Sequence, residues 1–180
     1  MNIKHVILLL LLLLVMQSCS KTDTTIYGKW KLNVEKSTDL ASWRYRQLEL
    51  EIVKLKEHIT IVHNWTHSRY GNFIDSVTFT PDVDTARVMV KSPVWQENWF
   101  MGVLAKENSI KATWGNWNDE ERRLTTWTTE VVQVSQGEAT ITTKKEYRLN
   151  RKGDLLTVQE KRSSRPSVVT LVFDRVYEET

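Results

Sequence analysis

The alternation of apolar and polar residues constrains the fold of this chain more than any other feature of its sequence. Leu48, Leu50 and Ile52 alternate with acidic residues, and Val77 and Phe79 continue the pattern further along. Successive side chains of a strand point to opposite faces, so the pattern indicates strands with one buried face. About ten such segments follow one another at a spacing of roughly 8–15 residues, which is typical of an all-β barrel or sandwich. Short turns favour an antiparallel up-and-down β-barrel, because closing the sheet removes exposed strand edges.

The second half of the chain contains a strand whose extent affects the functional interpretation. Residues 110–114 alternate, with the apolar side chains of Ile110 and Trp114 on one face. Residues 115–118 read Gly-Asn-Trp-Asn, a composition that is typical of a turn. We therefore expect Trp117 to lie in a loop, where its indole would be exposed to a partner.

Length and charge limit the classes of protein that this chain can belong to. With 180 residues, it is long enough for one domain with a core of its own. It has 25 basic and 22 acidic residues, and loss of Lys4 with the leader would leave a net charge of +2. A nearly balanced charge argues against nucleic-acid binding, which depends on a strong basic patch.

The first residues indicate export and lipid attachment. A basic start is followed by an apolar run from Val6 to Met16, which is too short to span a bilayer comfortably. Cys19, the only cysteine, follows Ser18 directly, as in a bacterial lipoprotein signal. We expect a signal peptide over 1–18, a lipidated Cys19 with a tether over 19–25, and a folded domain over 26–180. The alternative is an ordinary signal peptide followed by a chance cysteine.

Two ends of the chain resemble bacterial lipocalin-like lipoprotein domains. Gly28-Lys29-Trp30-Lys31-Leu32-Asn33 is similar to the Gly-x-Trp opening of such domains, and Arg175 lies in the last apolar segment, Val172–Tyr177. The resemblance implies that Arg175 packs over Trp30 and closes the base of the barrel. It also implies a small apolar ligand or another binding role, and a location in the bacterial cell envelope, anchored to the outer membrane through Cys19.

Five tryptophans cluster in the second half of the chain and admit two interpretations. They would line an apolar ligand site or present stacking surfaces to sugars, or they would fill a wide barrel that needs bulky side chains. Packing is the commoner role for aromatic residues at strand spacing. The candidate ligand contacts are Trp95, Trp99, Trp114, Trp117 and Trp127.

Candidate catalytic and metal-binding residues are few. His63 and His67 would share one face of a strand, but zinc needs three or four ligands and no Cys/His cluster supplies the others. The acidic run 119–121 lies in a polar segment, where solvated carboxylates are commoner than the acid–base pair of a glycosidase. The motifs of serine hydrolases, zinc proteases and phosphate-binding loops are missing from the sequence. We therefore expect no catalytic residues, no cofactor and no metal site.

The sequence favours a membrane-anchored binding protein for a small apolar ligand. An alternative is a surface interaction or glycan-binding module with a filled barrel, and a hydrolase with a scattered site is the third hypothesis. A basic stretch would serve either an anionic partner or solubility; it comprises Lys144, Lys145, Arg148, Arg151 and Lys152. The state of the barrel interior, open or filled, separates the first two hypotheses.

Overall fold

The computed structural model describes residues 24–38, 45–67, 71–95, 103–119 and 121–177. The expected signal peptide, Cys19 and Trp99 lie outside these ranges. Within them no helix is long and apolar enough to cross a membrane.

Eleven strands make up the described part of the chain. They are β1 (Gly28–Asn33), β2 (Tyr45–Leu55), β3 (His58–His67), β4 (Gly71–Phe79), β5 (Thr85–Met89), β6 (Leu104–Ala105), β7 (Ile110–Asp119), β8 (Arg123–Val134), β9 (Gly137–Leu149), β10 (Leu155–Arg162) and β11 (Val169–Val176).

The strands form one antiparallel sheet that curls into a nearly closed barrel. Their order is β4-β3-β2-β1-β11-β10-β9-β8-β7-β5, and the short β6 pairs with β8. The first and last strands are hydrogen-bonded neighbours, with Trp30 opposite Arg175. No ladder joins β4 to β5, so these two strands border the one break in the sheet that the described residues form. The expected all-β, up-and-down, lipocalin-like barrel is confirmed.

The period-two pattern gives the correct buried face for the early strands. Leu48, Leu50 and Ile52 on β2 are at most 2% exposed, and Ile59 and Ile61 on β3 are equally buried. These side chains pack with Trp30, Phe79, Leu124 and Phe173 to fill one end of the barrel. Each fully buried apolar side chain of this size stabilises the fold by about 1.5–3 kcal/mol relative to an exposed one.

Strand β7 differs from the sequence-based expectation in both face and length. Thr113 is buried, whereas Ile110 on the opposite face is 49% exposed. Thr113 forms a hydroxyl–hydroxyl hydrogen bond of 3.0 Å with Thr128 on the neighbouring strand, which satisfies both groups inside the barrel. The strand also continues through the Gly-Asn-Trp-Asn segment to Asp119, because residues 115–117 pair in register with β8. The predicted turn at 115–118 is therefore wrong.

A candidate ligand site beside the gap between β4 and β5

The base of the barrel is closed by Arg175. Its guanidinium carbon lies 4.1 Å from the centroid of the Trp30 ring, so the expected contact is present. The same guanidinium donates hydrogen bonds to the carbonyls of Tyr27 at 2.8 Å, Thr25 at 2.7 Å and Gly153 at 2.6 Å. Bonds from a charged donor are stronger than neutral ones, so Arg175 ties the start of the domain to the last hairpin.

Gly28 is required by this closure. A Cβ at this position would lie 2.9 Å from a guanidinium nitrogen of Arg175, and the residue has a φ of +124°. Glycine alone adopts such a backbone conformation without strain. The Gly-x-Trp opening is thus explained by the side chain that stacks on its tryptophan.

The gap between β4 and β5 is bridged by an ion pair of side chains. Lys111 on β7 donates hydrogen bonds to both carboxylate oxygens of Asp75 on β4, at 2.8 and 2.6 Å. Lys111 is the register partner of Val88 on β5, so the ion pair reaches across the gap from β4 to the strand next to β5. The two side chains are 17% and 30% exposed, so water has partial access to this contact.

A cavity of about 340 Å³ lies behind this ion pair. That volume is at the lower end of the range for small-molecule sites, which is about 300–1,000 Å³. Its walls are largely apolar, with charged groups from Asp75, Lys91, Lys111 and Glu130. The apolar walls include Trp65, Phe73, Val88, Val90, Trp95 and Ala105.

The inner wall of the cavity is held by buried polar contacts. The indole N–H of Trp95 donates a 2.5 Å hydrogen bond to the Glu130 carboxylate, which is only 4% exposed. The guanidinium of Arg162 lies 4.8 Å from the centroid of the Trp95 ring. Trp95 is therefore fixed between a carboxylate and a cation, and it presents a preorganised surface to the cavity.

A second set of buried charges lies next to Trp95. Glu160 and Arg162 on β10 are 2% and 3% exposed, and Arg165 donates a 3.2 Å hydrogen bond to Glu160. Burial lowers the pKa of Arg165, and the Glu160 carboxylate acts in the opposite direction. These buried charges lie beside a small apolar cluster of Trp95, Ala105, Val132 and Ile141, whereas the larger cluster around Trp30 is apolar throughout.

The structure does not bring the candidate tryptophans together. Trp95 lines the cavity, whereas Trp117 points into the apolar core and packs edge-on against Tyr27, with ring centroids 6.2 Å apart. The expectation that Trp117 is exposed in a loop is wrong, since β7 continues past it and turns its side chain inward. Trp114 and Trp127 are register partners on the outer face of the sheet, with nearly parallel rings.

The candidate metal and acid–base groups that the structure describes, which exclude Glu120, do not form a cluster. His63 lies on the inner face of β3 opposite Asp75, and the side chain of His67 is outside the described residues. Glu121 forms an ion pair with Lys54. In the described ranges, no three His, Cys, Asp or Glu side chains could hold one metal ion.

Sequence reasoning missed the charged residues inside the barrel. Glu160 and Arg162 have the same parity as Leu156 and Val158, so the period-two pattern already places them on the buried face. Glu130 has the same relation to Val132 on β8. Charged residues are rarely buried unless they are paired. A charged residue at an inward position of the period-two pattern was therefore the signal that could have predicted these buried ion pairs.

A closed base, a filled core at that end and a cavity beside a strand gap define a lipocalin-like β-barrel. No protein-family model and no curated protein sequence matches the chain. Among solved structures, it is similar to secretory abundant heat soluble protein 4 from Ramazzottius varieornatus. That alignment has 13% identity and a TM-score of 0.52, and it covers 87% of this chain and 98% of that one. A fatty-acid-binding protein from Manduca sexta aligns with 12% identity and a TM-score of 0.44, over 83% and 99% of the two chains. The first likeness concerns the fold alone.

Proposed function

We propose that this protein is a non-catalytic binding protein that holds a small, mainly apolar ligand in the cavity between β4 and β5. The observation that carries this proposal is the cavity itself, which is lined by aromatic and aliphatic side chains with a few charged groups. Binding sites for small molecules commonly combine apolar walls with a small number of placed polar groups.

The arrangement of charges gives the ligand a polar end. Lys111 and Asp75 lie at the opening, and Glu130 lies at the inner wall, so an amphiphile would contact water and the ion pair with its polar group. Its apolar part would lie against Trp65, Phe73 and Trp95. The partial filling of the barrel supports a short ligand, since the base is occupied by core side chains.

The test uses the neutral fluorescent probe N-phenylnaphthylamine and two matched substitutions. Val88→Trp adds bulk in the cavity wall, and Val53→Trp adds the same bulk on β2, outside the cavity. The two valines are 41% and 43% exposed, so the changes are equivalent in their exposure to solvent. We expect the probe to bind the wild type and Val53→Trp equally and to lose most of its affinity for Val88→Trp. Equal binding to all three proteins would place the probe elsewhere and contradict the proposal.

We also propose that a lipid on Cys19 anchors the protein in the bacterial envelope, at the outer membrane. The proposal rests on the apolar leader and on the position of Cys19 directly after Ser18. Several acyl chains would hold the protein firmly, because each buried methylene contributes about 0.8 kcal/mol. Cys19→Ser should release the protein from the membrane fraction or leave its leader uncleaved. A variant that fractionates and migrates like the wild type would show that Cys19 carries no lipid.

A further inference from the structure

The outer face of β8 and β9 carries a groove that is separate from the barrel cavity. Its volume is about 310 Å³, and its floor is formed by the two paired strands. Register pairing places Trp127 opposite Lys144, Thr125 opposite Glu146 and Arg123 opposite Arg148, all on the face turned away from the core. The charged and polar side chains of its walls include Asn118, Arg123, Thr125, Lys144, Glu146 and Arg148.

Several charges of this groove lie opposite like charges on neighbouring strands, which destabilises the sheet. Arg123 and Arg148 are direct cross-strand partners, and Lys144 is the partner of Lys161 on β10. On its other side Arg123 is the register partner of Asp119 on β7. Like charges that lie directly opposite each other on a sheet are destabilising. In the described part of the chain, Arg123 and Arg148 have no ion-pair partner within bonding distance.

One carboxylate lies among these cations and experiences their combined field. Glu146 accepts a 2.5 Å hydrogen bond from Lys144. This bond lowers the pKa of Glu146, and the charges of Arg148 and Arg123 act in the same direction against partial desolvation. With three cations and one anion, the groove has a positive surplus that an anionic group would neutralise.

An aromatic surface borders the cationic end of the groove. Trp127 and Trp114 are stacked, with ring centroids 6.2 Å apart and an angle of 10° between their planes. The Lys144 ammonium lies 5.8 Å from the Trp127 ring centroid. An indole next to polar side chains suits a ligand with one apolar ring face and a polar edge. Sugar rings have this character, since their C–H groups form the faces and their hydroxyls the edge.

We propose that this groove binds an acidic saccharide, with a sugar ring against Trp127 and its carboxylate or sulfate on Arg123 and Arg148. The paired guanidinium groups supply several N–H donors, and arginine binds planar carboxylates in a bidentate geometry. The concave shape and the small volume fit a discrete sugar unit better than a flat bilayer. The site is independent of the barrel cavity, because it lies on the opposite side of the sheet.

The test measures binding of an oligogalacturonate to the full chain by calorimetry, with a neutral galactose oligomer of the same length beside it. We expect the acidic oligomer to bind and the neutral one to bind at least about tenfold more weakly, since a bond to a charged group contributes that much. Arg148→Gln and Trp127→Thr should each weaken binding by about the same factor. Arg151→Gln, which removes an exposed charge outside the groove, should leave it unchanged. The affinity should also fall as salt is raised.

Three outcomes would overturn the proposal. The first is that neither oligomer binds. The second is that Arg148→Gln binds the acidic oligomer as well as the wild type does, while thermal unfolding shows that both are folded. The third is that the wild type does not bind the oligogalacturonate but binds phosphatidylglycerol vesicles, and that Arg148→Gln binds these vesicles more weakly. That result would assign this face to contact with a membrane surface.

Discussion

At the scale of single residues, Arg175 has a larger role than a stacking partner of Trp30. It donates to three backbone carbonyls from two separate parts of the chain, and its guanidinium lies 2.9 Å from where a Cβ at position 28 would be. The arginine therefore fixes both the start of the domain and the turn at Gly153.

We expect Trp30→Ala to cost about 3–5 kcal/mol of unfolding free energy, the usual range for a buried aromatic side chain. Trp30 is fully buried and its indole N–H donates to the carbonyl of Ile26 at 3.0 Å. Arg175→Lys keeps the charge but cannot donate to all three carbonyls, and we expect it to cost about 1–3 kcal/mol. Urea unfolding of both variants measures these costs. A cost below about 0.5 kcal/mol for Arg175→Lys would mean that the three hydrogen bonds contribute nothing to closure.

Glu160 offers a second test at this scale. Removing one member of a buried charge cluster leaves the others uncompensated, so we expect Glu160→Gln to destabilise the fold by about 3–5 kcal/mol. Its neighbour Gln159 faces solvent, and Gln159→Ala should change stability by less than about 0.5 kcal/mol. Comparing the urea midpoints of the two variants measures the difference. Equal stability would show that Arg162 and Arg165 do not depend on this carboxylate.

At the scale of strands, the break between β4 and β5 is where the barrel would open. These strands border the gap without a ladder, and the Lys111–Asp75 ion pair spans it. Strands β8 and β9, in contrast, pair along twelve successive residues. Hydrogen exchange should therefore be faster in β4 and β5 than in β8 and β9.

Asp75→Asn should accelerate exchange in β4 and β5 further, because the amide cannot replace the charged partner of Lys111. Exchange in β8 and β9 should remain as in the wild type. Glu107→Gln, in the exposed turn before β7, removes a carboxylate without touching Lys111 and serves as the control. An equal effect of the two substitutions would show that the ion pair does not hold the gap.

The strands also show which buried faces can be predicted from the sequence. Alternation predicts the buried faces of 48–52 on β2 and 59–65 on β3 correctly, because the inward residues of these stretches are apolar or aromatic apart from His63. It assigns the wrong face to β7, where the buried positions are taken by Thr113 and Gly115. Those small side chains are buried because Phe79 and Thr128 pack against them, and such contacts between distant strands are invisible in a local pattern.

The candidate site was harder to predict than the fold. The cavity exists because β4 and β5 do not pair, and it is lined by residues from 65 to 130 that have no common motif. Trp95 was a candidate contact, but its partners Glu130 and Arg162 come from two other strands. The closing contact between Trp30 and Arg175, by comparison, could be expected from a resemblance that is carried by two short segments.

At the scale of the whole molecule, the protein combines a filled base with an open side. The apolar cluster around Trp30 supplies stability, and the other end, where Trp95 and Glu130 lie, leaves room for a ligand. Because stability and ligand binding are assigned to different ends of the barrel, the buried charges near the cavity do not lie in the apolar core, where they would be destabilising. The proposed lipid on Cys19 would hold this barrel close to the membrane, where amphiphiles are concentrated.

The indole N–H signals in a nitrogen–proton NMR spectrum test the proposed cavity most directly. The chain has eight tryptophans, and each described one has a distinct position in the barrel. During titration with N-phenylnaphthylamine, the signals of Trp65 and Trp95 should shift and saturate, because both line the cavity. The signal of Trp30, which is sealed in the base, should stay in place. If no signal shifted, or if only those of Trp114 and Trp127 on the outer face did, the cavity would not be the ligand site.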